Sequence, residues 1–150
     1  MSVSAYRDEL TRICRQESIR RIAEEMSAEG LARHGVTMTV GAQVAAALGI
    51  EHRNVDLTAA ERNMLSIDDG PVLAIVQRFH PSDGGAGFRE AMDDLGHAVR
   101  ERVWVARLLT ESKAVWPTLF VCGSDHVESV RRIIRAVGMD SIVLHRDYEA

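Results

Sequence analysis

The segment from Trp116 to Gly138 limits the fold of this chain most strongly. An apolar run, Thr118–Cys122, stops at a polar turn, Gly123-Ser124-Asp125-His126, and an amphipathic pattern follows. A strand, a tight turn and a helix in this order form the unit from which α/β proteins build their sites, because loops at the carboxyl ends of parallel strands meet at one sheet edge. We therefore predict an α/β fold with a polar site at this turn.

The composition narrows the class of protein. The 150 residues suit a single domain, 1–150, and 46% hydrophobic with 27% charged residues is typical of a soluble globular protein. The net charge of −4 argues against a general nucleic-acid binder, which is usually basic. No apolar run approaches the ~20 residues of a membrane span, and the amino terminus has no apolar signal-peptide core. We therefore predict a cytoplasmic protein that binds neither nucleic acid nor a membrane.

The sequence lacks the common motifs for structural zinc, serine hydrolases and nucleotide binding. The two cysteines, Cys14 and Cys122, lie inside apolar patterns, as buried free thiols do in a reducing compartment. Their spacing from the histidines does not fit structural zinc. Ser124 is not in a Gly-x-Ser-x-Gly nucleophile elbow, which argues against a serine hydrolase. Neither GxGxxG nor GxxxxGK[ST] is present, so no motif predicts nucleotide binding.

Apolar periodicity and turn signals predict alternating helices and strands. The predicted helices are 4–16, one or two turns within 27–33, a helix between the Thr39 cap and Gly49, a capping-box helix from Thr58 to Leu65, 87–111 and 125–137. The predicted strands are 19–23, 50–56, 117–122 and 141–146, and 72–79 fits either a helix or a strand. This order predicts a three-layer αβα fold with a mainly parallel sheet of four to five strands. The PSDGGAG segment, 81–87, is predicted to be a mobile loop.

The chain opens on a helix that precedes its first predicted strand. In α/β folds a helix in that place often crosses over from an earlier strand. We therefore expect a sheet that starts unusually or lacks a first strand. An open edge at that place favours a homodimer in which a partner covers it.

Acids and a histidine follow the predicted strands. Glu24-Glu25, Asp56 and the Gly123–His126 turn end three strands, and Asp147 ends the fourth. Crowded carboxylates gain proton affinity, which suits general acid–base work, and the same cluster suits a divalent metal. The candidate catalytic residues are Glu24, Glu25, Arg100 and His126, and the candidate ligand-binding residues are Gly123, Ser124 and Asp125.

The turn residues and the strand residues also have structural interpretations. Ser124 or Asp125 suits the N-cap of the next helix, with Glu128 completing a capping box around Asp125. His52 and Arg53 point to opposite faces of a strand, where a buried polar residue is paired with an acid or reaches water.

The long helix offers two further alternatives. Arg100 either pairs with Glu24 or Glu25 across the site or lies on the surface and stacks on Trp104. The polar stripe of the long helix is interpreted as a solvated face rather than a metal site. This stripe consists of Glu90, Asp94, His97 and Glu101.

Several segments together resemble a group of small uncharacterised bacterial α/β proteins. They are IRRIAEEMSAEGL (19–31), LGIEHRNVD with AERNML (48–65), VRERVWVARL (99–108) and WPTLFVCGSDHVESV (116–130). More distantly, the paired acids, the helix arginine and Gly-x-x-His after a strand are similar to TraB and erythromycin-esterase-like proteins, several of which are hydrolases, some metal-dependent. The resemblance implies site roles for Glu24 or Glu25, Arg100 and His126. Those relatives begin with a strand bearing a polar motif, which this chain lacks.

Three functions follow from these observations. The first is a metal-assisted hydrolase of unknown substrate, in which His126 and the acids are ligands or bases and Arg100 stabilises negative charge. The second is a non-enzymatic module that binds a small anionic ligand through Arg100 and the helix amino terminus at the turn. The third is a truncated domain that acts through a homodimer interface.

Overall fold

The computed structural model describes residues 2–65, 86–109 and 116–144, except for the side chains of 86–89, 91 and 92. Helices and strands alternate along these ranges. The helices are α1 (Val3–Gln16), α2 (Ala28–Arg33), α3 (Val40–Leu48), α4 (Ala59–Met64), α5 (Ala86–Leu109) and α6 (Val127–Ala136), and the strands are β1 (Arg21–Glu24), β2 (Glu51–Asn54) and β3 (Thr118–Val121). A 3-10 turn, Ser124–His126, joins β3 to α6.

The strands form a parallel sheet in the order β2-β1-β3. Ile22 of β1 lies opposite His52 and Leu119, and the next residue, Ala23, lies opposite Arg53 and Phe120. This confirms the predicted α/β class, the parallel pairing and the first three predicted strands.

The predicted fourth strand is not formed where the structure describes it. Residues 141–144 of the predicted strand 141–146 have no strand pairing. Predictions for 72–79, 81–85 and Asp147 lie outside the described residues. The described part of the chain therefore shows three strands of the four to five that we predicted.

The capping residues predicted from the sequence form the expected contacts at α3 and α4. Thr39 accepts a hydrogen bond from the Ala42 amide and caps α3, and Gly49 ends that helix with φ 66°. Thr58 and Glu61 form the predicted capping box at α4. These contacts satisfy amides that the first turn of a helix leaves unpaired.

Apolar side chains pack on both faces of the sheet. The α1/α3 face buries Leu10, Cys14, Ile19, Ile22, Val44 and Ala45. The α5/α6 face buries Ala23, Val55, Trp104, Val105, Leu108 and Val130. Because side chains alternate along a strand, adjacent residues of β1 serve the two cores in turn.

The buried stripe of α5 differs from the predicted one. Helical spacing predicts that one apolar stripe is buried, yet its members Leu95 and Ala106 are exposed, Leu95 by 52%, whereas Trp104, Val105 and Leu108 are buried. The predicted stripe consists of Phe88, Met92, Leu95, Val99, Val103 and Ala106. The cause of this difference is tertiary packing. The carboxyl-terminal turns of α5 pack on the sheet, so the buried residues are those that face the sheet rather than those of one stripe along the whole helix. None of the described helices is long and apolar enough to cross a membrane.

Candidate functional site

Glu24 ends the central strand, Glu25 follows it, and their side chains lie on opposite faces of the sheet. Glu24 contacts Thr39 and His52 on the α3 side, while Glu25 contacts Arg100 of α5. The alternation of side chains along a strand accounts for this separation. The two acids therefore do not form one carboxylate pair, and the predicted grouping of Glu24 with Arg100 and His126 is wrong.

Glu25 lies at the centre of a polar cluster on the α5 face. Its Oε1 accepts a 2.8 Å hydrogen bond from Arg100 Nη2, and its Oε2 accepts a 3.0 Å bond from the Gly123 amide. His126 Nε2 lies 3.7 Å from Oε1, too far for a direct hydrogen bond. Glu25, Arg100, Gly123 and His126 thus meet as predicted.

Asp56 anchors the other side of this cluster. Its carboxylate accepts hydrogen bonds from Arg100 Nε at 3.0 Å, Arg100 Nη2 at 3.1 Å, Arg62 Nη2 at 2.5 Å and Trp104 Nε1 at 2.9 Å. Burial tends to raise the pKa of Asp56, but the bonds from Arg100 and Trp104 outweigh it and hold the pKa below its usual value. Asp56 therefore remains a carboxylate that fixes Arg100.

Arg100 forms the predicted pair with an acid and also stacks on Trp104, but it is not the surface residue of the second alternative. It pairs with Glu25, and its guanidinium carbon lies 5.0 Å from the centre of the Trp104 ring. Burial tends to lower the pKa of Arg100, but Asp56 and Glu25 outweigh it and raise the pKa. With Nε and Nη2 engaged by carboxylates, Arg100 holds the acids in place.

His126 is held from behind by Glu101. Glu101 Oε1 lies 2.8 Å from His126 Nδ1 and accepts a 2.6 Å hydrogen bond from Ser129 Oγ. Trp104 packs edge-on against the imidazole at 5.0 Å. Because an ionised carboxylate only accepts hydrogen bonds, Glu101 selects the tautomer with a proton on Nδ1. Nε2 is then directed towards Glu25.

A second carboxylate–imidazole pair lies on the α3 face. His52 Nε2 is 2.7 Å from Glu24 Oε2, and Thr39 donates a hydrogen bond to the same oxygen. A Cβ at Gly41 would come within 2.6–2.8 Å of the Glu24 carboxyl group. The predicted pairing of His52 with an acid is confirmed, and this acid is closely enclosed.

Cys122, which follows β3, is unsuited to nucleophilic chemistry. Burial, together with the charges of Glu25 and Glu101, raises the pKa of its thiol to about 12. The thiolate is the reactive form, and it is scarce at neutral pH under these conditions. Both cysteines are free, as predicted.

The turn residues between Gly123 and His126 have different positions. Ser124 and Asp125 are exposed, and the distance from Ser124 Oγ to Asp125 Oδ1 is 3.4 Å. No side-chain cap is formed at Gly123 or at His126, which precede the 3-10 turn and α6. The predicted capping role of Ser124 or Asp125 is therefore wrong, because the 3-10 turn moves the start of α6 to Val127.

Two members of the cluster were not among the candidate residues. Asp56 was recognised as a strand-end acid but not selected, although its position after β2 was a usable signal. Glu101 was assigned to a solvated helix face, yet it is 6% exposed. Glu90, Asp94 and His97 of the same stripe are exposed, so that part of the interpretation is confirmed. Helical periodicity could not separate Glu101 from them.

Metal ligands are not concentrated in the described ranges. Within residues 2–65, 86–109 and 116–144, no group of three or more His, Cys, Asp or Glu side chains is arranged to hold a metal ion. The gap between Glu25 and His126 offers two such donors, whereas catalytic zinc sites usually have three protein ligands. The described residues therefore do not fit a resident metal at this gap.

Comparison with known proteins adds no relative to this picture. The chain matches no protein-family model, no curated protein and no solved structure.

Proposed function

We propose that the α5-face cluster is the acid–base site of a hydrolase acting on a small substrate. The observation that carries this proposal is the position of His126, whose Nδ1 lies 2.8 Å from Glu101 while its Nε2 lies 3.7 Å from Glu25. A base oriented by a carboxylate behind it, with its reactive nitrogen towards a second polar group, is the arrangement used for general base catalysis.

In the proposed reaction His126 Nε2 removes a proton from a water molecule in the gap beside Glu25. Glu101 stabilises the resulting imidazolium, and Glu25 accepts a hydrogen bond from the water and orients it. The water oxygen then forms a bond to the carbonyl carbon or phosphorus of the substrate, the bond from that atom to the leaving group breaks, and His126 gives its proton to the leaving group. Arg100 is a positioning residue because its contacts with Asp56 and Glu25 hold the acid in place.

Water activation is assigned to His126 rather than to a metal. Among the described residues the gap has two donors, Glu25 and His126, which are fewer than a resident catalytic metal usually requires. This replaces the metal-assisted form of the hydrolase hypothesis. It also replaces the idea that Arg100 stabilises developing charge, since two carboxylates already occupy its Nε and Nη2.

The test uses the two imidazoles of the sheet edge as a matched pair. Turnover of a panel of chromogenic esters, amides and phosphoesters should fall by about 10²–10⁴ in His126→Gln. His52→Gln should retain the wild-type rate, because His52 is paired with Glu24 on the other face. Glu101→Gln should reduce the rate and change its pH profile, since it removes the group that orients His126.

Two results would count against the proposal. One is equal loss in His52→Gln and His126→Gln, which would indicate general destabilisation. The other is no turnover of any ester, amide or phosphoester by the wild-type protein.

A second candidate function is binding of a small anion. The Glu25 carboxylate already occupies a cradle made by the Gly123 amide and Arg100. An external carboxylate or phosphate of similar geometry would compete with it. Thermal melting in acetate and in phosphate tests this function: stabilisation that grows in Glu25→Gln supports it, and equal melting temperatures in both proteins argue against it.

The remaining features of the proposal concern the whole chain. We infer a bacterial, cytoplasmic protein with a three-layer αβα architecture and four to five strands, which forms a homodimer through an open sheet edge. The helices packed on both faces of the described sheet support the layered arrangement. Light scattering tests the dimer, and a monomer at all concentrations would overturn it.

A further inference from the structure

A second polar cluster lies on the α3 face of the sheet, where β1 and β2 end. Glu24 is the last residue of β1, and its partner in register on β2 is Asn54. His52 lies two residues before Asn54 and therefore points to the same face. Thr39, the N-cap of α3, contacts Glu24 from the helix side. The proposed hydrolase site on the α5 face uses none of these residues.

The carboxylate of Glu24 has no arginine or lysine partner among the described residues, although its side chain is only 10% exposed. Its Oε2 accepts a hydrogen bond from the Thr39 hydroxyl and lies 2.7 Å from His52 Nε2. The first turn of α3 is close, since a Cβ at Gly41 would lie 2.6–2.8 Å from the carboxyl group. A helix amino terminus supplies only about half of a unit positive charge. When His52 is neutral, the cluster therefore keeps a net negative charge.

His52 offers this cluster a hydrogen-bond acceptor. Because an ionised carboxylate only accepts hydrogen bonds, Glu24 selects the His52 tautomer with a proton on Nε2. Nδ1 then carries a lone pair, and within the described ranges it has no hydrogen-bond partner. The side chain is 20% exposed, and Nδ1 is not among its buried atoms. A ligand with an N–H group can therefore reach Nδ1 from solvent.

Asn54 offers a second acceptor beside the first. Its Oδ1 is buried, and no described residue donates a hydrogen bond to it, which is unfavourable for a carbonyl oxygen. Asn54 as a whole is half-buried, so rotation of its amide about the last side-chain torsion brings Oδ1 towards solvent. Residues two apart on a strand lie about 6.6 Å apart, and one nitrogen with two hydrogen bonds of about 2.9 Å spans about 5.8 Å. One donor group can therefore bind His52 and Asn54 together.

We propose that Glu24, His52 and Asn54 form a binding site for a small primary ammonium compound. Two N–H groups of the ammonium bond to His52 Nδ1 and Asn54 Oδ1. Its positive charge offsets that of Glu24, which stays hydrogen-bonded to Nε2. An ammonium fits better than a metal ion, because the described residues group no three His, Cys, Asp or Glu side chains around a metal position. This proposal is independent of the catalytic role of His126.

Thermal melting of the full chain at about pH 8.5, where a histidine is usually neutral, tests the site. Methylammonium chloride should raise the melting midpoint above that in an equal concentration of tetramethylammonium chloride, which has the same charge but no N–H group. The affinity for methylammonium, measured by NMR titration, should fall at least about tenfold in Asn54→Ala and in His52→Ala, because each loses one acceptor. Asn63→Ala is the matched control, since Asn63 is exposed on α4, and it should keep the wild-type affinity.

The wild-type protein alone decides the matter if a variant does not fold, because equal melting midpoints in the two ammonium salts would overturn the proposal. Wild-type affinity for methylammonium in both Asn54→Ala and His52→Ala would overturn it as well. If potassium chloride stabilises the protein as much as methylammonium chloride, and both variants lose this effect, the site binds a metal ion instead and the ammonium is wrong. These measurements involve no turnover, so their failure and the failure of the hydrolase proposal are separate results.

Discussion

Each face of the sheet edge has a histidine beside one of the adjacent acids Glu24 and Glu25, but only the histidine of the α3 face is in hydrogen-bond contact with its acid. On the α3 face, His52 Nε2 contacts Glu24 directly at 2.7 Å, and Thr39 binds the same carboxylate. On the α5 face, Glu101 holds the far nitrogen of His126, and Nε2 lies 3.7 Å from Glu25. The comparison teaches that the same pair of residue types can be closed by a direct hydrogen bond on one face and left open on the other.

The faces also differ in how their acids are compensated. Three cationic or N–H donors converge on Asp56, namely Arg62, Arg100 and Trp104. Glu24 has one imidazole and one hydroxyl as partners. We therefore expect the α5 face to be both the stronger structural unit and the more sensitive to charge removal.

The largest expected effect is that of Asp56→Ala. It leaves Arg100 mostly buried without its main partner and removes the acceptor of the Trp104 N–H, so we expect a loss of about 3–5 kcal/mol in the free energy of unfolding. Urea denaturation measures it. Asp125→Ala is the control, because Asp125 is exposed, and should change stability by less than about 0.5 kcal/mol. A loss below about 1 kcal/mol in Asp56→Ala would mean that the α5 cluster does not anchor the fold.

A smaller effect is expected from a methyl group added on each face. In Gly41→Ala the new Cβ would lie 2.6–2.8 Å from the Glu24 carboxyl group, so the acid must leave His52 and Thr39. We expect a loss of about 1–3 kcal/mol from these hydrogen bonds.

Gly123→Ala is the matched change on the α5 face. Its Cβ would lie 3.6 Å from His126 and 3.7 Å from Glu25, which is ordinary contact, and the φ of −59° suits alanine. Its midpoint of thermal unfolding should stay close to that of the wild type. Equal losses in Gly41→Ala and Gly123→Ala would remove the contrast between an enclosed and an open pair.

The third expected effect is a pH dependence that belongs to the α5 face. The lowered pKa values of Asp56 and Glu61 mean that both groups stabilise the folded chain above their unfolded values, near 3.9 and 4.3. That contribution is lost as the pH falls through the folded pKa values. Asp56→Asn should therefore lose less stability than the wild type between pH 6 and 3, as urea midpoints across this range would show. Parallel curves for the two proteins would contradict the assignment.

Local signals explain what could be predicted from the sequence. The capping residues Thr39 and Thr58 act on amides a few positions away, so their roles were readable without a fold. The meeting of Glu25, Gly123 and His126 followed from one rule, that parallel strands share a carboxyl edge. Of the two acids predicted as partners of Arg100, Glu25 pairs with it, whereas its main partner, Asp56, was not predicted.

The remaining features depend on tertiary packing. Glu101 lies on a helical stripe with three exposed residues, and only the docking of the last turns of α5 distinguishes it. Glu24 was grouped with Glu25 because they are neighbours in sequence, although the pleat sends them to different faces. The segment 141–144 has the residue pattern of a strand. Such a pattern indicates only that strand pairing is favourable. The pairing itself depends on the positions of β3 and both flanking helices.

Glu24 ends a strand of four residues and Glu25 follows it directly, and their carboxylates have unrelated partners on opposite faces. If β1 shifted by one position against its neighbours, each acid would face the wrong helix, and both sets of hydrogen bonds would be lost together. The contacts of both acids therefore stabilise the same alignment of β1 with its neighbouring strands. Insertions or deletions within β1 should consequently be far less tolerated than substitutions.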